Sequence, residues 1–75
     1  MDLSAHIEAV LLTHPYTPMS VAELVEAIPG SSANSVERAC YALRAIRRLG
    51  RKGANSKDRP YRFYLKNDVR AELSL

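Results

Sequence analysis

Arginine and lysine are confined to one half of this 75-residue chain. All 11 basic residues lie within residues 38–75, so the net charge is −5 over residues 1–37 and +8 over residues 38–75. Most of the 11 are arginine, whose planar guanidinium binds phosphate and guanine better than an ammonium does. This distribution indicates a polyanionic partner, such as nucleic acid or an anionic membrane surface, rather than an evenly solvated lysine-rich surface.

Residues suited to reading a base pair recur at helical spacing after residue 33. If Val36 faces inward and each residue turns by about 100°, one outward face is shared by several polar side chains. That face holds Asn34, Arg38, Tyr41, Ala45 and Arg48, with Ser35 and Ala42 beside it. Asparagine pairs with adenine and arginine with guanine, and serine and tyrosine hydroxyls reach phosphate. The face is therefore a candidate surface for recognition of duplex DNA.

Each of these residues also has a purely structural interpretation. Asn34 is equally suited to cap the helix, Arg38 to lie solvated on the surface, and Tyr41 to pack beneath the following hairpin. Lys57, Arg59 and Arg62 are better candidates for contact with a phosphate backbone than for base reading.

The apolar spacing predicts three helices, over about residues 4–13, 20–28 and 34–50. Asp2 or Ser4 caps the first, and Pro15 ends it near Thr13. Ser20 and Glu23 form a capping box at the second. The third starts at Asn34, Ser31 or Ser32 and ends at a glycine, Gly50 or Gly53. Its inward stripe is predicted as Val36, Ala39, Cys40, Leu43 and Ile46.

The period changes to two after the third helix. Tyr61, Phe63 and Leu65 alternate with polar neighbours, which predicts a half-buried strand. Its partner strand has to come from about residues 52–55, although that segment is poor in strand-forming residues. The predicted hairpin therefore spans about residues 52–66. The tail, residues 67–75, is expected to add a helical turn with Val69 and Leu73 inward. The whole chain, residues 1–75, is predicted to be one domain.

This order of parts resembles the winged helix–turn–helix family of DNA-binding domains over residues 4–66. The matching segments are SVAELVEAI at residues 20–28, NSVER at residues 34–38 and RPYRFYL at residues 59–65. The resemblance implies a mostly α fold with a small β-hairpin, in which the third helix enters the major groove and the hairpin, the "wing", lies along the backbone.

Catalytic and metal chemistry find little support in the sequence. Cys40, the one cysteine, falls on an inward stripe, and His6 and His14 are too far apart for a helical metal pair. No acid, base and pocket assemble, so we expect a non-enzyme without cofactor or metal. Without an apolar run long enough to span a membrane or a secretory signal, the chain is expected to be cytoplasmic, or nucleoid-associated if bacterial.

The sequence leaves two main functional hypotheses, which belong to different classes of protein. The first is a sequence-specific binder of double-stranded DNA, a small transcription regulator acting as a homodimer. The second is a winged-helix interaction module or small inhibitor that docks its basic surface on an acidic protein. Structured or single-stranded RNA is a weaker third possibility. The residues predicted to contact DNA are Ser32, Asn34, Ser35, Arg38, Tyr41, Arg48, Lys57, Arg59 and Arg62.

Overall fold

The chain alternates helices with very short strands. The computed structural model describes residues 2–54 and 56–74. Within these ranges the elements are α1 (Leu3–Thr13), β1 (Met19–Ser20), α2 (Val21–Ala27), α3 (Ala33–Ala45), β2 (Leu49–Lys52), β3 (Arg62–Leu65) and α4 (Asn67–Leu73). Parts of the predicted hairpin and tail fall on Asn55 and Leu75, which lie outside the described residues, as does Met1.

Side-chain caps define where the first two helices begin. The Ala5 amide donates to Asp2 Oδ1 at 2.8 Å, so Asp2 rather than Ser4 caps α1. At α2 the Ser20 amide donates to Glu23 Oε1 at 2.9 Å, and the Glu23 amide donates to Ser20 Oγ at 3.2 Å. This reciprocal pair is the predicted capping box, and it explains why so short a helix starts at a defined residue.

Helix α3 ends earlier than the sequence predicts. It was expected to run to about residue 50, but it stops at Ala45 because Arg47 adopts the left-handed conformation, with φ of 65°. The Arg47 amide donates to Arg44 O at 3.0 Å, and the Arg48 amide donates to Leu43 O at 2.9 Å. These two bonds form a Schellman motif, which closes a helix and reverses the chain.

The early end of α3 frees the following residues for the sheet. Leu49, which is fully buried, starts β2 and lies opposite Leu65 of β3. The predicted strand at residues 52–55 was therefore placed too late, and its apparent lack of aliphatic residues followed from that placement. Ile46, expected on the inward stripe, is 65% exposed because it follows the last helical turn.

The three strands form one antiparallel sheet in the order β1-β3-β2. Strand β1 was not among the predicted strands, and it pairs Met19 with Phe63 and Ser20 with Arg62. In the β2–β3 pair, Gly50 lies opposite Tyr64 and a Cβ at Gly50 would overlap the tyrosine ring. Gly50 thus leaves room for the Tyr64 ring, which a larger residue would have to displace, and it is not the helix terminator.

One apolar core lies between the helices and one face of the sheet. It contains Ile7, Leu11, Met19, Leu24, Ile28, Val36, Cys40, Leu43, Leu49, Phe63, Leu65 and Val69. Met19 and Leu24 are both buried, as a hydrophobic staple before α2 requires. Val69 of α4 is buried as predicted, whereas Leu73 is 37% exposed and was wrongly expected inward.

The left-handed turn yields a stability prediction. Replacing Arg47 by glycine should raise the free energy of unfolding by about 0.5–1 kcal/mol, because left-handed geometry costs a non-glycine residue roughly 1–2 kcal/mol and the looser unfolded chain offsets only part of the relief. Urea unfolding followed by circular dichroism measures the change. Arg47→Val, which places a β-branched residue in the same geometry, is the control and should lose stability. A loss in the glycine variant would contradict the prediction.

Candidate nucleic-acid interface

Helix α3 buries one stripe and exposes the opposite face. Val36, Cys40 and Leu43 are buried in the core, whereas Asn34 and Arg38 are exposed. Ser35, Ala42, Ala45 and 37% of Tyr41 share the exposed side. The structure therefore brings together the predicted outward face, apart from Arg48.

At the start of α3, the residue that caps the helix is different from the residue that exposes an amide side chain. Ser32 Oγ accepts the Ser35 amide hydrogen at 3.2 Å, and the Ser32 hydroxyl donates to Ser35 Oγ at 3.0 Å. Ser32 is thus the N-cap, one of the alternatives left open by the sequence. Asn34 lies inside the helix, and its side chain makes no hydrogen bond within residues 2–54 and 56–74. Its amide is free to meet a ligand.

Tyr41 packs against the hairpin and is also partly exposed, so it is compatible with both the packing role and the DNA-contacting role considered for it. Its ring meets Phe63 edge to face, with centroids 5.9 Å apart, so the tyrosine packs against β3. The Arg51 guanidinium lies 5.8 Å from the Tyr41 centroid and only 3.8 Å from the Tyr61 centroid. Arg51 therefore joins α3 to the hairpin by cation–π contact, with part of Tyr41 still open to solvent. Nothing in the sequence indicates that Arg51, which lies opposite Phe63 in the sheet, contacts Tyr41 and Tyr61.

Arg48 does not lie on the α3 face to which the sequence assigned it. Because α3 ends at Ala45, Arg48 turns toward α1 and its guanidinium binds buried Glu8 at two points, Nε to Oε2 at 2.6 Å and Nη2 to Oε1 at 3.2 Å. Its Nη1 also donates to Glu72 Oε2 at 3.4 Å. The hydrogen bonds that Arg48 donates to Glu8, followed by the charges of Glu8 and Glu72, raise the pKa of Arg48. This side chain ties α1 and α4 to the turn after α3.

The three predicted hairpin cations differ in how free they are. Lys57 and Arg59 are exposed in the loop between β2 and β3, where the Arg59 carbonyl accepts from the Ala54 and Ser56 amides, each at 3.2 Å. Arg62 instead pairs with Glu23 of α2. The backbone contact predicted for Arg62 would thus have to compete with that carboxylate.

Among the described residues, most of the basic side chains have no carboxylate partner. Within residues 2–54 and 56–74, salt bridges engage two of the 11 cations, Arg48 and Arg62. Four of the nine others, which the sequence analysis did not select, lie together at the end of α3 and along the sheet: Arg44, Arg47, Arg51 and Lys66. Sequence alone could have flagged them only as a run of basic residues, because the turn at Arg47 is what gathers them.

The cysteine, the candidate metal ligands and the lengths of the helices bear on functions other than nucleic-acid binding. Burial, followed by the charge of Glu37, raises the pKa of Cys40 to about 12, so its thiol stays protonated in the core. Residues 2–54 and 56–74 contain no cluster of three or more His, Cys, Asp or Glu side chains arranged to hold a metal ion. None of the helices in those ranges has the length and apolar character needed to cross a membrane.

The Glu8–Arg48 pair yields a second prediction. Glu8→Gln should lower the free energy of unfolding more than Glu72→Gln, because Glu8 is buried and binds the guanidinium at two points, whereas Glu72 is exposed and binds it once. Both variants remove one carboxylate facing the same arginine, so each serves as the control for the other. Thermal and urea unfolding measure the difference. Equal losses would show that Arg48 does not depend on the buried pairing.

The capping box of α2 yields a pH dependence. The Ser20 amide lowers the pKa of Glu23 below its ordinary value of 4.5, and the Ser20 hydroxyl and Arg62 contribute further. The folded state therefore binds fewer protons than the unfolded state, so this stabilisation is complete above the unfolded pKa and is lost as pH falls through the folded one. We expect Glu23→Gln to flatten the loss of stability below about pH 5. Glu26→Gln, in the same helix but outside the box, is the matched control, and equal effects would contradict the assignment.

Comparison with known proteins provides no family for this chain. No family model matches it, and no curated protein or solved structure does. What is established of the fold is the arrangement of four helices and a three-stranded antiparallel sheet within residues 2–54 and 56–74. Its function has to be inferred from the exposed α3 face and the cations around it.

Proposed function

We propose that this chain is a winged helix–turn–helix domain that binds double-stranded DNA sequence-specifically, as a small transcription regulator. The order of elements supports this arrangement: α2, a short polar turn and α3 would form the helix–turn–helix, and the β2–β3 hairpin would form the wing. The single observation that carries the proposal is the exposed α3 face, which bears Asn34, Arg38 and part of Tyr41.

The chemistry of that face suits the major groove. Asn34 is in the first turn of α3 and Arg38 one turn later, and side chains from the N-terminal turns of a recognition helix read base edges. Asparagine is complementary to adenine and arginine to the O6 and N7 acceptors of guanine. Ala42 and Ala45, both exposed, add no bulk between the helix and the groove.

Backbone contacts would come from the cations without carboxylate partners. Lys57 and Arg59 project from the hairpin loop, and further cations lie at the end of α3. Arg48 is left out of the proposed interface because Glu8 and Glu72 neutralise it. Arg62 is a weaker candidate for backbone contact, because its Nη1 already donates to Glu23 and to the Pro18 carbonyl.

A homodimer would give this small domain enough base contacts for specificity, because two copies on an inverted repeat read twice as many base pairs. Two exposed apolar side chains, Ile46 after α3 and Leu73 in α4, are available for a contact between copies. Burial of both in one interface would remove apolar surface from water.

Salt-dependent duplex binding tests the proposal. We expect log K for a labelled duplex to fall linearly with log salt with a slope of about −4 to −8 per dimer, because each neutralised phosphate releases condensed counterions. Arg38→Ala should cost about 1–3 kcal/mol and relax the preference at one base pair, whereas Arg59→Ala should weaken all sequences alike and make the slope shallower by about one. Fluorescence anisotropy measures both quantities.

The two variants control for each other, since each removes one exposed arginine. If Arg38→Ala behaved like Arg59→Ala, α3 would not be reading bases. No duplex binding at low salt would exclude the DNA proposal and leave docking on an acidic protein as the function to test.

A further inference from the structure

A second basic surface lies where the end of α3 meets the edge strand β2. It is a concavity of about 370 Å³, which equals the space of about a dozen water molecules. Four cations line it, namely Arg44, Arg47, Arg51 and Lys66, together with Gly50 and Tyr64. It adjoins the α3 face proposed to enter the major groove but shares none of the predicted DNA-contacting residues.

The concavity is positively charged throughout. None of its lining residues is acidic, and none of the four cations forms a salt bridge within residues 2–54 and 56–74. Like charges gathered on one surface repel one another. A bound anion would remove that repulsion.

Regular structure fixes the backbone that carries the cations, and one aromatic ring holds a guanidinium. Arg51 stacks on Tyr61 at 3.8 Å, and the Lys66 amide donates to Arg48 O at 3.2 Å, which fixes the end of β3 to the turn after α3. Arg44 belongs to the last turn of α3. Three elements therefore converge on one open concavity, and the Arg51 guanidinium is held there by its stacking on Tyr61.

The backbone conformation of Arg47 is a second, independent indication that this concavity has a function. Its left-handed conformation suits glycine, yet the chain places a cation there and bears the strain. Strained backbone retained in a fold marks candidate functional positions. A need for the guanidinium in the concavity would explain why residue 47 is an arginine and not a glycine.

We propose that this concavity binds two neighbouring phosphate groups. Four cations exceed the charge of any single phosphate group, which is at most about −2, so a second phosphate brings the site closer to neutrality. Guanidiniums also bind phosphate oxygens through paired hydrogen bonds. The phosphates would belong either to a DNA strand beside α3, a source that rests on the proposed function, or to a free oligophosphate compound.

Pyrophosphate titration at constant ionic strength tests the site. In ¹H–¹⁵N NMR spectra of the whole chain we expect shifts concentrated at the amides of residues 47–51. Arg47→Gly should weaken pyrophosphate binding about tenfold, the effect of losing one charged hydrogen-bond donor. This variant is expected to fold more stably than the wild type, so weaker binding cannot be ascribed to unfolding.

Arg47→Lys is the matched control, because it keeps the charge and the left-handed strain but loses the paired hydrogen bonds, and it should bind more tightly than Arg47→Gly and less tightly than wild type. Shifts spread evenly over all exposed cations would overturn the proposal. An unchanged affinity in Arg47→Gly would overturn it as well.

A duplex titration of the same variants distinguishes the two sources. A slope of log K against log salt that is shallower by about one in Arg47→Gly supports a DNA phosphate as the occupant. An unchanged slope combined with weaker pyrophosphate binding supports a free oligophosphate. If the wild type binds pyrophosphate at this site but no duplex, the DNA proposal fails and the anion site stands.

Discussion

The left-handed turn at Arg47 is the constraint on which the second half of the molecule depends. By ending α3 at Ala45, the turn directs Leu49 into the core beside Leu65 and starts the β2–β3 pairing. A helix continued to residue 50 would leave only Arg51 and Lys52 for β2, and the edge strand would lose its pairing with Tyr64 and Leu65. The strain at one residue is thus offset by the burial of Leu49 and by a ladder of hydrogen bonds.

Charge is distributed so that the acidic first half neutralises only a small part of the basic second half. Glu8 and Glu23 each bind one arginine, Arg48 and Arg62, and both pairs join elements far apart in sequence. These pairs maintain the packing of α1 on the turn after α3 and of α2 on β3. The other cations stay without carboxylate partners among the described residues, and a polyanion would attract all of them together.

Two neighbouring surfaces divide the proposed recognition between different kinds of contact. The exposed α3 face carries asparagine and arginine at positions suited to hydrogen bonding with base edges, which would give sequence preference. The concavity at the end of α3 carries cations alone and would give affinity for phosphate without sequence preference. Arg51 connects the surfaces, because it contacts Tyr41 on α3 and also lines the concavity.

The sequence by itself determined the capping box of α2, a strand at residues 62–65 and most of the buried stripe of α3, because these follow from local spacing and capping chemistry. For α1 and α3 it left two and three candidate caps, among which the structure selects Asp2 and Ser32. Only the tertiary structure decided where α3 ends, that Arg48 faces Glu8, and that Arg44, Arg47, Arg51 and Lys66 share one cavity. Glycine is the residue that local rules expect at a left-handed helix end, so an arginine there is invisible to them. The burial of Leu49 against Leu65 is a contact between residues distant in sequence, and it outweighs the local preference for a longer helix.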